Sequence, residues 1–174
     1  MLQRILENRF KLKVHWVPKE VSIYKLTVAK GGPKLKPFKE GSCIAPVSPF
    51  DPAPSLAPGQ RFCTTSPRPA PAGLFGLHFE GSTIEDFVQT FLNGPFAGLE
   101  REVSNKTGLT GKFDIELQYS RSLNPRQQNP PEAGDPAGPS IFTALQEQLG
   151  LKLESAKGTG YTLIVDSIER PSEN

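Results

Sequence analysis

The chain has 174 residues, 36% of them hydrophobic and 22% charged, with a formal net charge of +2. At about 150 residues per domain this is one domain, with no room for two full-sized ones; it excludes a (β/α)8 barrel, and the lack of any run of about 18 apolar residues excludes a membrane-spanning helix. Eighteen prolines and sixteen glycines are about a fifth of the chain, against an average near 12%, so part of it must be irregular.

In the first block, Met1 to Gly32, the residues Leu2, Ile5, Leu6 and Phe10 fall at the i, i+3, i+4 spacing of one helical stripe. From Lys11 the period changes to two: Leu12, Val14 and Trp16 alternate with Lys11, Lys13 and His15, as a half-buried strand requires. Pro18-Lys19-Glu20 then reads as a turn, and the β-branched and aromatic run Val21 to Ala29 as the returning strand of a hairpin. The first 40 residues carry ten Lys/Arg against three Asp/Glu, the rest ten against fifteen. Such a basic end suits an anionic partner, but Lys11, Lys13 and Lys25 are expected simply as solvent faces of strands.

Ten of the 18 prolines lie between Pro33 and Pro71, so residues 33–73 are expected as a long loop that cannot hold a helix. Both cysteines, Cys43 and Cys63, lie in it. Neither has a CxxC partner or a nearby histidine, so a disulfide is expected, closing about 20 residues and contributing roughly 3 kcal/mol by restricting the unfolded chain. Leu74 to Glu80 reads as a strand and Ser82-Thr83-Ile84-Glu85 as a capping box. Ile84, Phe87, Val88, Phe91 and Leu92 form a helical stripe stopped by Asn93-Gly94-Pro95. After a glycine-rich turn, Phe113, Ile115, Leu117 and Tyr119 alternate with Asp114, Glu116 and Gln118, the clearest strand of the chain.

A second proline-rich loop, residues 120–139, is expected to be mobile because its polar composition buries too little to offset ordering. Beyond it Ser140 is a fitting N-cap, Ile141, Leu145 and Leu149 form a stripe, and Gly150 suits a left-handed C-terminus. Leu151 to Leu153 and Tyr161 to Ile168 read as two strands around Lys157-Gly158-Thr159-Gly160. Leu6-x-x-x-Phe10-x-Leu12-Lys13-Val14 matches Leu145-x-x-x-Leu149-x-Leu151-Lys152-Leu153 position for position, so an internal αββ repeat is expected. Six mostly hairpin-linked strands and three helices argue for an α+β fold, a mainly antiparallel sheet with the helices on one face. Strand order is not readable.

No constellation for chemistry emerges. His15 and His78 sit on expected strands without a nucleophile beside them, and the pairs Asp114/Glu116 and Glu85/Asp86 read as solvated faces. Gly108-Leu109-Thr110-Gly111-Lys112 fails as a phosphate loop. Lys106 stands where a glycine is needed and Phe113 where a hydroxyl is needed, so a tight turn is expected. Asn105-Lys106-Thr107 is formally a glycosylation sequon. No catalytic residue, metal ligand or cofactor is assigned.

Several segments together resemble a known family. They are Leu6-x-x-Arg9-Phe10-Lys11-Leu12-Lys13-Val14-His15, Val28-Ala29-Lys30-Gly31-Gly32-Pro33-Lys34-Leu35-Lys36, the turn Lys106-Thr107-Gly108-Leu109-Thr110-Gly111-Lys112-Phe113-Asp114, and Ser140 to Leu153 (SIFTALQEQLGLKL), closing with Ile168-Glu169-Arg170-Pro171. The resemblance is to the Solibacter-type domain of unknown function, abundant in exported acidobacterial proteins. It implies a signal peptide and a strand-rich segment upstream, so that Met1 is an internal residue of a longer exported protein. It also implies an extracytoplasmic setting, since relatives are joined to membrane metallopeptidases of the antibiotic-sensor type or to thioredoxin-like domains. This chain has Val103-Ser104-Asn105 where the family usually has Val-Val-Asp, and no catalytic residues are established for the family.

The expectation is therefore a secreted or periplasmic module that acts by binding a cell-envelope protein or a small ligand. An enzyme completed by a missing N-terminal segment, and a nucleic-acid binder using the basic first 40 residues, are the alternatives.

Overall fold

The computed structural model describes residues 2–45, 55–71, 73–120 and 138–170. It is α+β: α1 (Leu2–Phe10), β1 (Lys13–Val28), β2 (Lys36–Pro37), β3 (Thr65–Arg68), β4 (Leu74–Ser82), α2 (Ile84–Phe87) running into a π-helical turn (Val88–Leu92), β5 (Val103–Asn105), β6 (Phe113–Ser120), α3 (Ile141–Leu149) and β7 (Leu151–Ser167). The strands form two open sheets in place of the single expected one, ordered β5-β1-β7 and β2-β6-β4-β3. Pairing is antiparallel in the four-stranded sheet, whereas β1 and β5 run parallel. The chain divides into two compact units, residues 23–156 and the combination of 1–22 with 157–174.

The larger unit holds the core. Leu77 and Phe79 of β4 and Ile115, Leu117 and Tyr119 of β6 are buried against Phe87, Val88, Phe91 and Leu92 and against Ile141, Ala144, Leu145 and Leu149 of α3, with Leu26, Val103, Leu151 and Leu153 completing it. Phe79 meets Phe87 and Phe91 at 5.1 and 5.5 Å between ring centroids, the edge-on geometry that ring quadrupoles favour. The Tyr119 hydroxyl donates to the Phe96 carbonyl at 2.8 Å, so its polar end is satisfied inside the core.

The helix signals of α3 hold: the Ser140 hydroxyl accepts from the Thr143 N–H, and Gly150 adopts φ 66°. Glycine is doubly required at 150, because the Gly32 carbonyl oxygen lies 2.1 Å from where a Cβ would stand. The α2 cap is displaced by one residue from the expected box. Thr83 is the N-cap, its hydroxyl accepting from the Asp86 N–H at 3.0 Å, because Ser82 is still paired with Phe113 in the sheet.

Two expected turns are corrected. Pro18-Lys19-Glu20 lies inside one unbroken 16-residue strand, β1. Within the described residues β5 covers β1 only at Tyr24–Leu26, so the missing N–H of Pro18 need not break a ladder on that side. Lys157-Gly158-Thr159-Gly160 likewise lies inside the single strand β7, and the Val21 methyls stand 3.0 Å from where a Gly160 Cβ would be; that glycine marks a close strand approach, not a turn. Where an αββ order was expected at each end, a helix is thus followed by one long strand, with Lys11 at φ 51° after α1 and Gly150 at φ 66° after α3.

The 33–73 loop contains β2 and β3 but no helix among its described residues. Most of the expected mobile loop, residues 121–137, lies outside the described residues; its flanks meet where the Ser120 N–H donates to the Pro139 carbonyl at 2.8 Å.

A polar cleft where three sequence motifs meet

Three of the segments singled out above converge within the larger unit. The Gly31-to-Lys36 segment turns against the end of α3, with the Ala29 N–H donating to the Gly150 carbonyl and the Lys34 N–H to the Leu149 carbonyl, each at 2.9 Å. Lys36 then pairs with Asp114, the last residue of the glycine-rich turn motif. Between them opens a cleft of about 260 Å³ lined by Lys34, Leu35, Lys36, Asp114, Glu116, Gln118, Gln148 and Leu149.

Several of its polar groups are committed to the fold. Gln148 clasps β6: its side-chain carbonyl accepts from the Gln118 N–H at 2.9 Å and its amide donates to the Gln118 carbonyl at 2.7 Å. Lys34 Nζ donates to the Glu147 carbonyl at 2.8 Å. Asp114 Oδ1 accepts from the Gly81 N–H at 3.0 Å. The looser groups are Lys36 and Glu116, 3.8 Å apart and both well exposed, a pair that a ligand can displace at little cost. The cleft thus offers one ammonium and one carboxylate to a small polar ligand, without a nucleophile.

The remaining singled-out residues are mostly structural. Cys43 and Cys63 are bonded to each other and buried, with Ile44 bridged to Phe62 beside them. Arg61 makes a fork of hydrogen bonds to Glu80, one of 2.8 Å from Nη2, and the Thr64 N–H and hydroxyl reach the same carboxylate at 3.2 Å. The Arg61 bonds, reinforced by Thr64, hold the Glu80 carboxyl down to about 2. Of the motif turn, Lys106 donates its N–H to the Leu26 carbonyl, Thr107 is bonded to Asn105, and Leu109 donates to the Thr107 hydroxyl. Gly108 and Gly111 both have positive φ, 68° and 97°; Phe113 and Asp114 begin β6. The sequon residue Asn105 also donates to Glu85 at 3.2 Å. Hydrogen bonds from Gln89 and then Asn105 lower the Glu85 pKa.

His15 pairs with Asp166 at 2.9 Å on the surface of the smaller unit. His78 is 7% exposed. Strand pairing puts it in a row with Ser66 and Glu116, a juxtaposition the sequence did not reveal. In this arrangement the Nδ1 of His78 is not free to accept from a nucleophile. Arg68 Nη2 lies 2.8 Å from His78 Nδ1, and a guanidinium only donates, so the Nδ1 lone pair is occupied and the ring proton is on Nε2. Among the described residues no three His, Cys, Asp or Glu side chains gather as metal ligands, and no helix is long and apolar enough to cross a membrane.

No curated protein and no solved structure matches the chain. The family described as "Protein of unknown function (DUF3738)" matches residues 1–168, and the chain belongs to it.

Proposed function

We propose that the protein is an extracytoplasmic module that acts by binding, and that the cleft between Lys36, Glu116 and Gln118 receives a small polar ligand or a segment of a cell-envelope protein. The observation that carries this reading is the convergence of three separate motif segments on that cleft. The buried Cys43–Cys63 bond supports the oxidising compartment.

The test has two arms. Protein isolated from the secreted and periplasmic fractions of its own cells is labelled with a thiol reagent before and after reduction. Protected thiols that appear only on reduction are expected; free thiols in the cytosolic fraction overturn the location. Cell-envelope extracts are then titrated against isotope-labelled protein. Amide shifts at Lys36, Glu116 and Gln118, abolished by Lys36→Glu, are expected; shifts elsewhere, or none, overturn the site.

The row Ser66, His78 and Glu116 favours a second reading, an enzyme whose site is completed by a further segment. It requires the Arg68–His78 bond to break, and a hydrolytic activity lost in His78→Gln but kept in His15→Gln would establish it.

A further inference from the structure

Among the described residues several sheet borders are guarded. The outer edge of β6 is clasped at Gln118 by the Gln148 side chain, and β5 is clasped at Val103 by Asn93, whose Oδ1 accepts from the Val103 N–H at 2.6 Å and whose Nδ2 donates to its carbonyl at 3.0 Å. Edge strand β3 contains Pro67. By contrast β7 is an outer strand of 17 residues. From Tyr161 to Val165 it offers no proline or charge, the usual blunting devices of an edge.

In the smaller unit this strand forms a two-stranded ribbon with β1. The His15–Asp166 pair and the Val21–Gly160 contact share one spacing, and alternation along the two strands then assigns residues to the two faces. One face carries Lys13, His15, Lys19, Thr162 and Asp166, with Val17 and Ile164 between them. The other places Trp16 beside Val165 and Pro18 beside Leu163, with Tyr161 next along. Those apolar side chains are 62% (Trp16), 67% (Tyr161), 44% (Leu163) and 55% (Val165) exposed. A two-stranded ribbon with an uncovered apolar face is marginal in water by itself.

We infer that this apolar face is a self-association surface on which the ribbon of a second copy of the chain packs face to face about a two-fold axis. Two arguments choose a second copy as the occupant. Charge is the first: Trp16, Pro18, Tyr161, Leu163 and Val165 are uncharged, and Glu20, on the same face, is neutralised by Lys157. The face therefore meets its own image without repulsion, while the charged face stays in water. Area is the second: the four side chains expose on the order of 500 Å², at the upper end for a monomer's largest patch, and doubling them across a two-fold reaches the ~1,000 Å² that a specific interface needs. An interface at that lower limit is expected to be weak and reversible. The inference is independent of the cleft and of the cellular location.

Trp16 is the only tryptophan, so its fluorescence reads this face directly. Sedimentation equilibrium and iodide quenching of the whole chain are measured between about 1 and 100 µM, a span that brackets a micromolar Kd. The expected result is a mass rising from 19.0 kDa toward twice that value, with a blue shift of Trp16 emission and loss of quenching in parallel. Leu163→Asp and Val165→Asp weaken the dimer at least tenfold, and Thr162→Asp, on the opposite face, leaves it unchanged; circular dichroism checks that each variant folds. A monomer throughout with Trp16 quenched at every concentration overturns the inference. So does a dimer indifferent to both aspartates, or native protein whose Trp16 is shielded in a complex with a different chain. Should both aspartate variants fail to fold, the wild-type mass and quenching series decides alone.

Discussion

Replacing Cys43 and Cys63 together by serine isolates what the disulfide does to the unfolded chain. The bond spans 20 residues, and closing a loop of that size removes about 11 cal/mol/K of chain entropy, or about 3 kcal/mol near room temperature. The folded side of the balance changes little, since the Ile44 N–H still donates to the Arg61 carbonyl at 2.9 Å and the Cys63 N–H to the Ile44 carbonyl at 2.8 Å, bonds that a serine backbone keeps. With a urea m-value near 2 kcal/mol/M, the midpoint should fall by about 1.5 M. Unfolding is followed by far-ultraviolet circular dichroism with and without dithiothreitol. Oxidised wild type should stand alone, while reduced wild type and the double serine variant share the lower midpoint and a slightly larger m-value, because their denatured states are less compact. A loss below about 1 kcal/mol would falsify the entropic account.

The Arg61–Glu80 fork acts on the folded state and therefore shows itself in pH. Glu80 has its pKa lowered from 4.5 to about 2, so its contribution is complete above the unfolded value and is lost as pH falls from about 4.5 to about 2. In Glu80→Gln that part of the acid slope should vanish from urea midpoints measured across the range; a slope equal to wild type refutes the assignment. Asn93→Ala strips both partners from the backbone of Val103, which is 1% exposed. A loss of about 2–3 kcal/mol is expected from denaturant titration, and a loss under 0.5 kcal/mol means that water reaches that backbone. Gly108 and Gly150 have nearly equal φ, 68° and 66°, but only at 150 would a Cβ strike backbone. Gly108→Ala should therefore cost about 1–2 kcal/mol and Gly150→Ala clearly more by the same titration, and equal costs refute the steric part of the argument.

What was legible in the sequence was local. The Ser140 cap, the left-handed Gly150 and the alternation of β6 depend on neighbours within a few positions, and each stands where its chemistry places it. The pairing of Cys43 with Cys63 followed because no other partner existed. The misreadings have one cause, that turn chemistry states what a segment permits while the partner strand decides what it does. Pro18-Lys19-Glu20 can turn, but opposite β7 it continues as strand; Lys157 to Gly160 can turn, but Gly160 leaves backbone room for Val21. Ser82 and Thr83 are equally good caps by chemistry, and only the pairing of Ser82 with Phe113 separates them.

The cleft was illegible for the same reason, carried further. Nothing near Lys36 in sequence announces Asp114, which reaches it through the register of β2 on β6, and nothing near Gln118 announces Gln148, 30 residues away. Yet once the fold is assembled, hydrogen bonding separates the groups held by the fold from those free to meet the proposed ligand. Gln148 is consumed by the Gln118 backbone and Lys34 by the Glu147 carbonyl. Removing either leaves a polar group unpaired, so an effect on binding there is confounded with an effect on folding. Among the described residues the Lys36 and Glu116 side chains hold only each other, at 3.8 Å and in solvent, so on the proposed reading their exchange should alter recognition while leaving the sheet intact. The same distinction runs through the histidines: His78 is immobilised by Arg68 and buried, whereas His15 faces solvent beside Asp166. A side chain fully used by the fold explains its own presence; one that the fold leaves loosely held beside converging motifs is where function should be sought first.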